Sequence, residues 1–241
     1  MSSLKAIIFD IDGTLSDTER DGHRLAFNAA FDEAGLQWHW DVPLYGELLD
    51  VTGGKERMVH YAQRFAPALA ARPDFTNLVR KLHALKTQHY VQLVQSGRLP
   101  LRPGVAHLIH DARAAGIRLA IASTTSPENI TALLRASLAQ DAEGWFEVIG
   151  AGDIVPAKKP APDIYLWVLE QLGLPASSCL AIEDSENGLS AALAAGIPTL
   201  VTETDYTHSQ NFSGALAVLP DLGKTGLEDV KAIFSKSLSK T

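Results

Sequence analysis

What this sequence has little of narrows its function first. It holds one cysteine, Cys179, so no disulfide can form within the chain. Cys179 begins the apolar stretch Cys179-Leu-Ala-Ile182, which assigns it to a buried strand rather than to thiol chemistry. A reducing cytoplasm is the expected compartment. Basic residues are in the minority: 21 Lys and Arg stand against 28 Asp and Glu, a formal net charge of −7 with a pI near 5.6. A chain without a basic surplus has no field to hold a phosphate backbone, so no nucleic-acid partner is expected. Small phosphorylated molecules stay open, because they need only a few local cations. No apolar run approaches the roughly 18 residues of a membrane span, and no basic segment leads into a long apolar one as in a secretory leader. No membrane partner is expected. Internal repeats and low-complexity stretches are missing too. What is present suits one large or two unequal globular domains: 241 residues, 46% apolar and 20% charged.

The apolar residues fall in short runs bounded by turn residues. Residues 5–9 (Lys-Ala-Ile-Ile-Phe) lead into Asp10 and read as a strand buried on both faces. Residues 117–122, 146–149, 179–182 and 197–201 carry the same signature. Helical periodicity separates the later runs at 104–115, 127–138, 162–172 and 188–195, and Gly116, Gly173 and Gly196 stand where left-handed helix ends are expected. This rhythm predicts an α/β fold, a parallel sheet covered by helices on both faces. The interval 17–97 breaks the rhythm, with helical patterns but no convincing strand. Within it Phe75, Leu78, Val79, Leu82 and Leu85 mark one helix face. It is expected to form a separate helical cap, joined through linkers near 15–18 and 99–104, where Pro100 and Pro103 stiffen the return. A last surface helix is expected within 225–241, and the polar stretch 203–213 suggests no role.

Chemistry concentrates at the strand ends, where open parallel sheets bind their ligands. Asp10-Ile-Asp12-Gly13-Thr14 follows the first strand, and Gly13 permits a tight turn near a ligand. Glu183-Asp184 follows another strand. Two acidic strand ends on one edge repel unless a cation sits between them, and oxygen-only donors beside a phosphate favour Mg²⁺. Ser123-Thr124 ends a third strand, where hydroxyls and backbone N–H groups suit phosphate oxygens. Ser126-Pro127 then opens a helix, whose N-terminus favours anions. Lys158-Lys159-Pro160 forms a rigid basic loop. Each piece alone has an ordinary explanation as a solvated turn or surface charge; the four together on one sheet edge do not.

Together the four pieces resemble the motifs of the haloacid dehalogenase superfamily: Asp10-x-Asp12-Gly-Thr14 the first, Ser123 or Thr124 the second, Lys159 before Pro160 the third, Glu183-Asp184 the fourth. The resemblance implies a Rossmann-like core at 1–16 and 98–241 with a small inserted helical cap at 17–97. It implies Asp10 as the nucleophile of an aspartyl-phosphate mechanism and Asp12 as general acid and base. Dehalogenase relatives lack this second aspartate, so Asp12 points to phosphate chemistry. Mg²⁺ would be held by Asp10, the Asp12 carbonyl and Asp184, with Glu183 on the metal directly or through water. Lys159 and Ser123 would stabilise the transferring phosphoryl group.

The cap segment Thr52-Gly53-Gly54-Lys55-Glu56-Arg57 further resembles the CbbY-type sugar-bisphosphate phosphatases, as do Asp17-Thr18-Glu19, His23-Arg24-x-Ala26-Phe27-Asn28, and Ser123-Thr124-Thr125 with Asn129. Those relatives act on xylulose 1,5-bisphosphate, a misfire product that inhibits Rubisco. The resemblance implies a phosphorylated sugar as substrate, a monomer, Glu19 on sugar hydroxyls, and Lys55, with Arg57, on the distal phosphate. Thr52, Gly53, Gly54, Thr124, Thr125 and Asn129 complete the expected substrate contacts. One departure stands out: related caps place a histidine four residues after the Thr18 position, but His23 comes five later, with Gly22 between. One extra helical residue turns a side chain by about 100°, which leaves His23 between a substrate contact and an ordinary surface position. The alternatives are β-phosphoglucomutase, which shares the fold and first motif, another sugar-phosphate or phosphoglycolate phosphatase, and a non-catalytic metabolite-binding member.

Overall fold

A strand with no polar side chain has no face to offer water, and the first apolar run takes the middle of the sheet. In the computed structural model, which describes residues 3–238, Ala6–Phe9 forms β1 and is fully buried. The other strands are β2 (Arg118–Ala122), β3 (Val148–Gly150), β4 (Cys179–Glu183), β5 (Thr199–Thr202) and β6 (Ala217–Leu219). All pair in parallel in the order β3-β2-β1-β4-β5-β6. The order reverses at β1, so the crevice at the carboxyl ends of β1 and β4 is where such sheets bind ligands. Phe9 stands level with Ile121 and with Ile182. Asp10, Ser123 and Glu183 therefore leave the sheet at one edge.

Alternate strand residues feed two cores. Ile7, Phe9, Leu119, Ile121 and Leu180 pack against α6 (Val105–Ala114), α7 (Pro127–Ser137) and α10 (Leu227–Leu238). Ala6, Ile8, Ala120, Ala122 and Ala181 pack against α8 (Asp163–Leu172) and α9 (Glu186–Ala194). The predicted strands and helices appear with small shifts at their ends, and Gly116, Gly173 and Gly196 adopt φ of 70°, 62° and 77°. Two expectations need correction. The sheet has a sixth strand, β6, which its three half-exposed residues do not announce. The last helix is more than a surface element, since Val230 and Phe234 are buried in the core; residues 239–241 of the expected span lie outside the described residues.

Between β1 and α6 come only helices: a π turn at Glu19–His23, then α1 (Arg24–Glu33), α2 (Val42–Leu48), α3 (Gly54–Phe65), α4 (Pro67–Ala70) and α5 (Phe75–Gln95). They enclose a third hydrophobic cluster, rich in aromatics. Trp40 lies 4.7 Å from Phe27 and 4.9 Å from Phe31, ring centre to ring centre. Asn28 closes this cluster by exchanging two hydrogen bonds with the Trp40 backbone, at 2.9 and 2.8 Å. On α5 the buried stripe runs Phe75, Val79, Leu82, Lys86, Tyr90, Val94. The two linkers meet: Ser16 bridges Leu101, the Ser16 hydroxyl donates to the Pro100 carbonyl at 2.7 Å, and the Arg102 N–H donates to the Leu15 carbonyl at 2.8 Å. Among the described residues no helix is long and apolar enough to cross a membrane.

Candidate active site

The residues at the switch point converge on one lysine. Lys159 Nζ lies 2.7 Å from Asp10 Oδ1, 2.5 Å from Glu183 Oε1 and 2.8 Å from the Ala122 carbonyl. Tyr165, on α8, also donates to Glu183 Oε1. Oxygens of Asp10, Glu183 and Asp184 all lie within 4.8 Å of one another. Burial pushes the Asp10 carboxyl up to about 7, with Lys159 opposing and Glu183 adding to the rise. Burial, with Asp10 and Glu183 adding to it, drives Asp184 well above the usual carboxylate range.

The set fits a hard divalent cation. Three buried carboxylates face one ammonium, so negative charge is in excess. Glu183 Oε2 has no hydrogen-bond partner. Gly13, at φ 87°, leaves room for Asp184: a Cβ there would stand 2.1 Å from Asp184 Oδ2. The donors are all oxygen, which suits Mg²⁺ or Ca²⁺ rather than zinc.

Asp12 has different neighbours. Its Oδ1 accepts from the Thr18 hydroxyl at 2.5 Å and lies 2.7 Å from His23 Nε2. Burial alone would raise this carboxyl, but His23 and Thr18 bring it down to about 2. His23 Nδ1 is 2.8 Å from Lys86 Nζ, and the imidazole stacks on Tyr90 at 4.2 Å. The extra residue before His23 is thus absorbed. The π turn at Glu19–His23 takes one more residue per turn than an α-helix, which returns His23 to the cavity side.

Two adjoining chambers result. Asp10, Asp12, Ser123, Thr124, Lys159 and Asp184 line the first, roofed by Glu19, Thr52, Gly53 and Arg57. The second shares Asp12, Glu19, Gly53, Arg57 and Thr124 and adds His23, Gly54, His83, Lys86, Thr125 and Asn129. Arg57 is buried and held by the Leu48 carbonyl at 3.1 Å and the Tyr45 hydroxyl at 2.9 Å, while Tyr45 donates to Glu19. Asn129 Nδ2 donates to Thr125 Oγ1 at 3.0 Å and leaves its buried Oδ1 unpartnered. Lys55 lines neither chamber; its ammonium pairs with Asp153, in the loop after β3.

Residues 4–196 match the family model of haloacid dehalogenase-like hydrolases. The chain is 56% identical over 220 residues to the plasmid CbbY protein of Cupriavidus necator, across 91% of this chain and 86% of that one. The chain belongs to the haloacid dehalogenase-like hydrolases, in their CbbY branch. Crystal structures agree. CbbY from Rhodobacter sphaeroides in complex with phosphate matches with a TM-score of 0.86 at 43% identity, over 94% of this chain and 98% of that one. An aspartate-to-asparagine mutant of that protein, in complex with xylulose-(1,5)bisphosphate, matches with a TM-score of 0.87 at 42% identity, over 95% and 99%. As a CbbY relative, the chain is a phosphatase.

Several residues lining this cavity escaped the sequence. Thr204, Tyr206, Thr207 and Gln210 form its outer wall, although 203–213 suggested nothing. The signal was position: the segment follows β5, whose end lies on the ligand edge. Tyr206 meets Tyr45 of α2 edge-on at 6.2 Å. Asn187, at the start of α9, donates to Thr52, just before α3, at 3.2 Å. Lys86 carried a plainer mark, a lysine inside the apolar stripe of α5.

Proposed function

We propose that this phosphatase is Mg²⁺-dependent and hydrolyses a sugar bisphosphate through a phosphoaspartate on Asp10, with xylulose 1,5-bisphosphate as its preferred substrate. The observation that carries this is the pair of adjoining chambers. The first offers Lys159 and Ser123 to a reacting phosphoryl group. The second offers Arg57, Lys86 and the N-terminus of α7 to another anion. A molecule with a phosphate at each end has a seat for both. The complex of the Rhodobacter relative with xylulose-(1,5)bisphosphate supports the choice of sugar.

Asp10 attacks phosphorus while the bond from phosphorus to the sugar oxygen breaks. Lys159 orients Asp10 Oδ1 and offsets charge on the phosphoryl oxygens. A divalent cation held by Asp10, Asp184, the Asp12 carbonyl and Glu183 would neutralise the phosphate and the crowded carboxylates. Asp12 is ionised in the resting cavity. The arriving phosphate dianion raises its proton affinity, so it can carry a proton to the leaving sugar oxygen. It then takes a proton from the water that attacks the phosphoaspartate, which frees Asp10 and inorganic phosphate. Thr18 and His23 hold the Asp12 carboxylate in place for both transfers. Glu19 would bind sugar hydroxyls.

Residues 17–97 act in this proposal as a cap that closes over the core formed by 1–16 and 98–241 and excludes water. The test is phosphate release across a panel of sugar mono- and bisphosphates with Mg²⁺. Fastest turnover of xylulose 1,5-bisphosphate is expected. Interconversion of hexose phosphates with little free phosphate would point to a mutase instead.

A further inference from the structure

Arg102 lies in the return linker and lines neither chamber itself. Its guanidinium nevertheless binds the loops that build them. Nη1 donates to the carbonyl of Gly13, and to the carbonyl and hydroxyl of Thr202 at 2.9 and 3.2 Å. Nη2 donates to the carbonyls of Glu203 at 2.5 Å and Pro220 at 2.7 Å. The Arg102 backbone N–H holds the Leu15 carbonyl at 2.8 Å. One side chain thus joins the turn after β1, the end of β5, the loop that follows it, and the turn after β6.

Two of these acceptors matter for chemistry. Gly13 separates Asp12 from Thr14, and its open α-carbon admits the Asp184 carboxylate. The Gly13 carbonyl is bonded to that same α-carbon, so holding it fixes the gap for Asp184 and the turn that begins at Asp12. The Glu203 carbonyl belongs to the peptide that leads into Thr204, a residue of the cavity wall. A planar fork with five N–H donors reaches all these acceptors; a lysine, with one flexible point of charge, does not.

We infer that Arg102 is a positioning residue for phosphoryl transfer. It clamps the catalytic turn at 10–16 to the wall loop that begins at 203, so the two aspartates and the cavity keep one geometry through the reaction. This inference rests on the phosphatase activity alone and not on the identity of the sugar.

The test uses a small aryl phosphate, p-nitrophenyl phosphate, with Mg²⁺, and follows kcat, KM and melting temperature in Arg102→Lys, Arg102→Met and Arg102→Ala. Arg118→Met is the control. Its guanidinium bonds a carboxylate and a carbonyl, Glu147 at 2.6 Å and Leu172 at 2.7 Å, at the opposite end of β2. In Arg102→Lys and Arg102→Met, kcat is expected to fall about 10- to 100-fold, the loss of one or two charge-assisted hydrogen bonds, with KM changed less than about threefold. Added guanidinium ion restores part of kcat in Arg102→Ala. Arg118→Met lowers the melting temperature and leaves kcat unchanged. Should Arg102→Met fail to fold, Arg102→Lys decides. A folded Arg102 variant with kcat within about threefold of the parent overturns the inference. So does a loss of kcat that guanidinium does not restore and that Arg118→Met reproduces.

Discussion

The ammonium of Lys55, on α3, pairs with the carboxylate of Asp153, in the loop after β3, and Lys158 holds the other oxygen of that carboxylate at 2.8 Å. Glu56 lies 3.6 Å from Lys158. The segment expected to grip a phosphate thus carries an ion pair that ties α3 to the loop after β3. The Asp153 side chain is 57% exposed, so salt screens the pair. Lys55→Ala and Asp153→Ala should each raise KM about 1.5- to 5-fold, equally for a sugar bisphosphate and for p-nitrophenyl phosphate, the range of an exposed ion pair. Steady-state kinetics with added salt checks this, since salt should reproduce the effect in the parent. A large loss confined to bisphosphates in Lys55→Ala would return that lysine to the substrate.

Arg57 takes the distal-phosphate role in this scheme. Arg57→Lys keeps the charge but loses the fork that meets Leu48 and Tyr45. It should lower kcat/KM for a bisphosphate about 10- to 100-fold. A single-phosphate substrate should change little, because Asp10 and Lys159 are untouched. The ratio of the two specificity constants is the measurement.

Lys86 sets a pH limit. Burial brings its ammonium down to about 8, against partial support from Asp12 and Glu19. Its folded pKa lies below the unfolded value, so burying the charge opposes folding at low pH. That opposition fades between about pH 8 and the unfolded value near 10.5, where this group's contribution to stability rises. Activity should move the other way and fall through about pH 8 as the charge beside His23 and Asp12 is lost. In Lys86→Met both the alkaline fall in kcat and the alkaline gain in melting temperature should vanish. A pH profile of each checks it.

The carboxylate cluster predicts binding apart from turnover. Mg²⁺ should raise the melting temperature, because it relieves the repulsion among Asp10, Glu183 and Asp184. Asp184→Ala should remove most of that shift. A chelator should abolish turnover, and Mg²⁺ should restore it. Differential scanning fluorimetry across a Mg²⁺ titration measures the first two.

The strand ends were legible because continuous apolar runs stop abruptly at polar residues: Phe9 at Asp10, Ala122 at Ser123, Ile182 at Glu183. A residue buried on both sides of a sheet leaves no doubt about where the sheet ends. The cavity's outer wall was not legible, because Thr204, Tyr206 and Gln210 have no periodicity and gain meaning only from the end of β5 beneath them. Gly22 revealed the extra residue before His23, but only the backbone shows that a π turn absorbs it. The Lys55 ion pair was not legible because its partner, Asp153, is 98 residues away, and only the packing of the helices against the sheet decides which charge it meets.

Phosphate release by the parent and by Asp10→Asn, on xylulose 1,5-bisphosphate and on sugar monophosphates side by side, bears most directly on the proposed chemistry. The parent should release phosphate from the bisphosphate with kcat/KM about 10-fold or more above any monophosphate, the worth of one further charge-assisted contact. Asp10→Asn should fold normally and release none from either, since an amide oxygen is a poor nucleophile. Comparable rates on all substrates would remove the bisphosphate assignment, and phosphate release by clean Asp10→Asn would remove the phosphoaspartate.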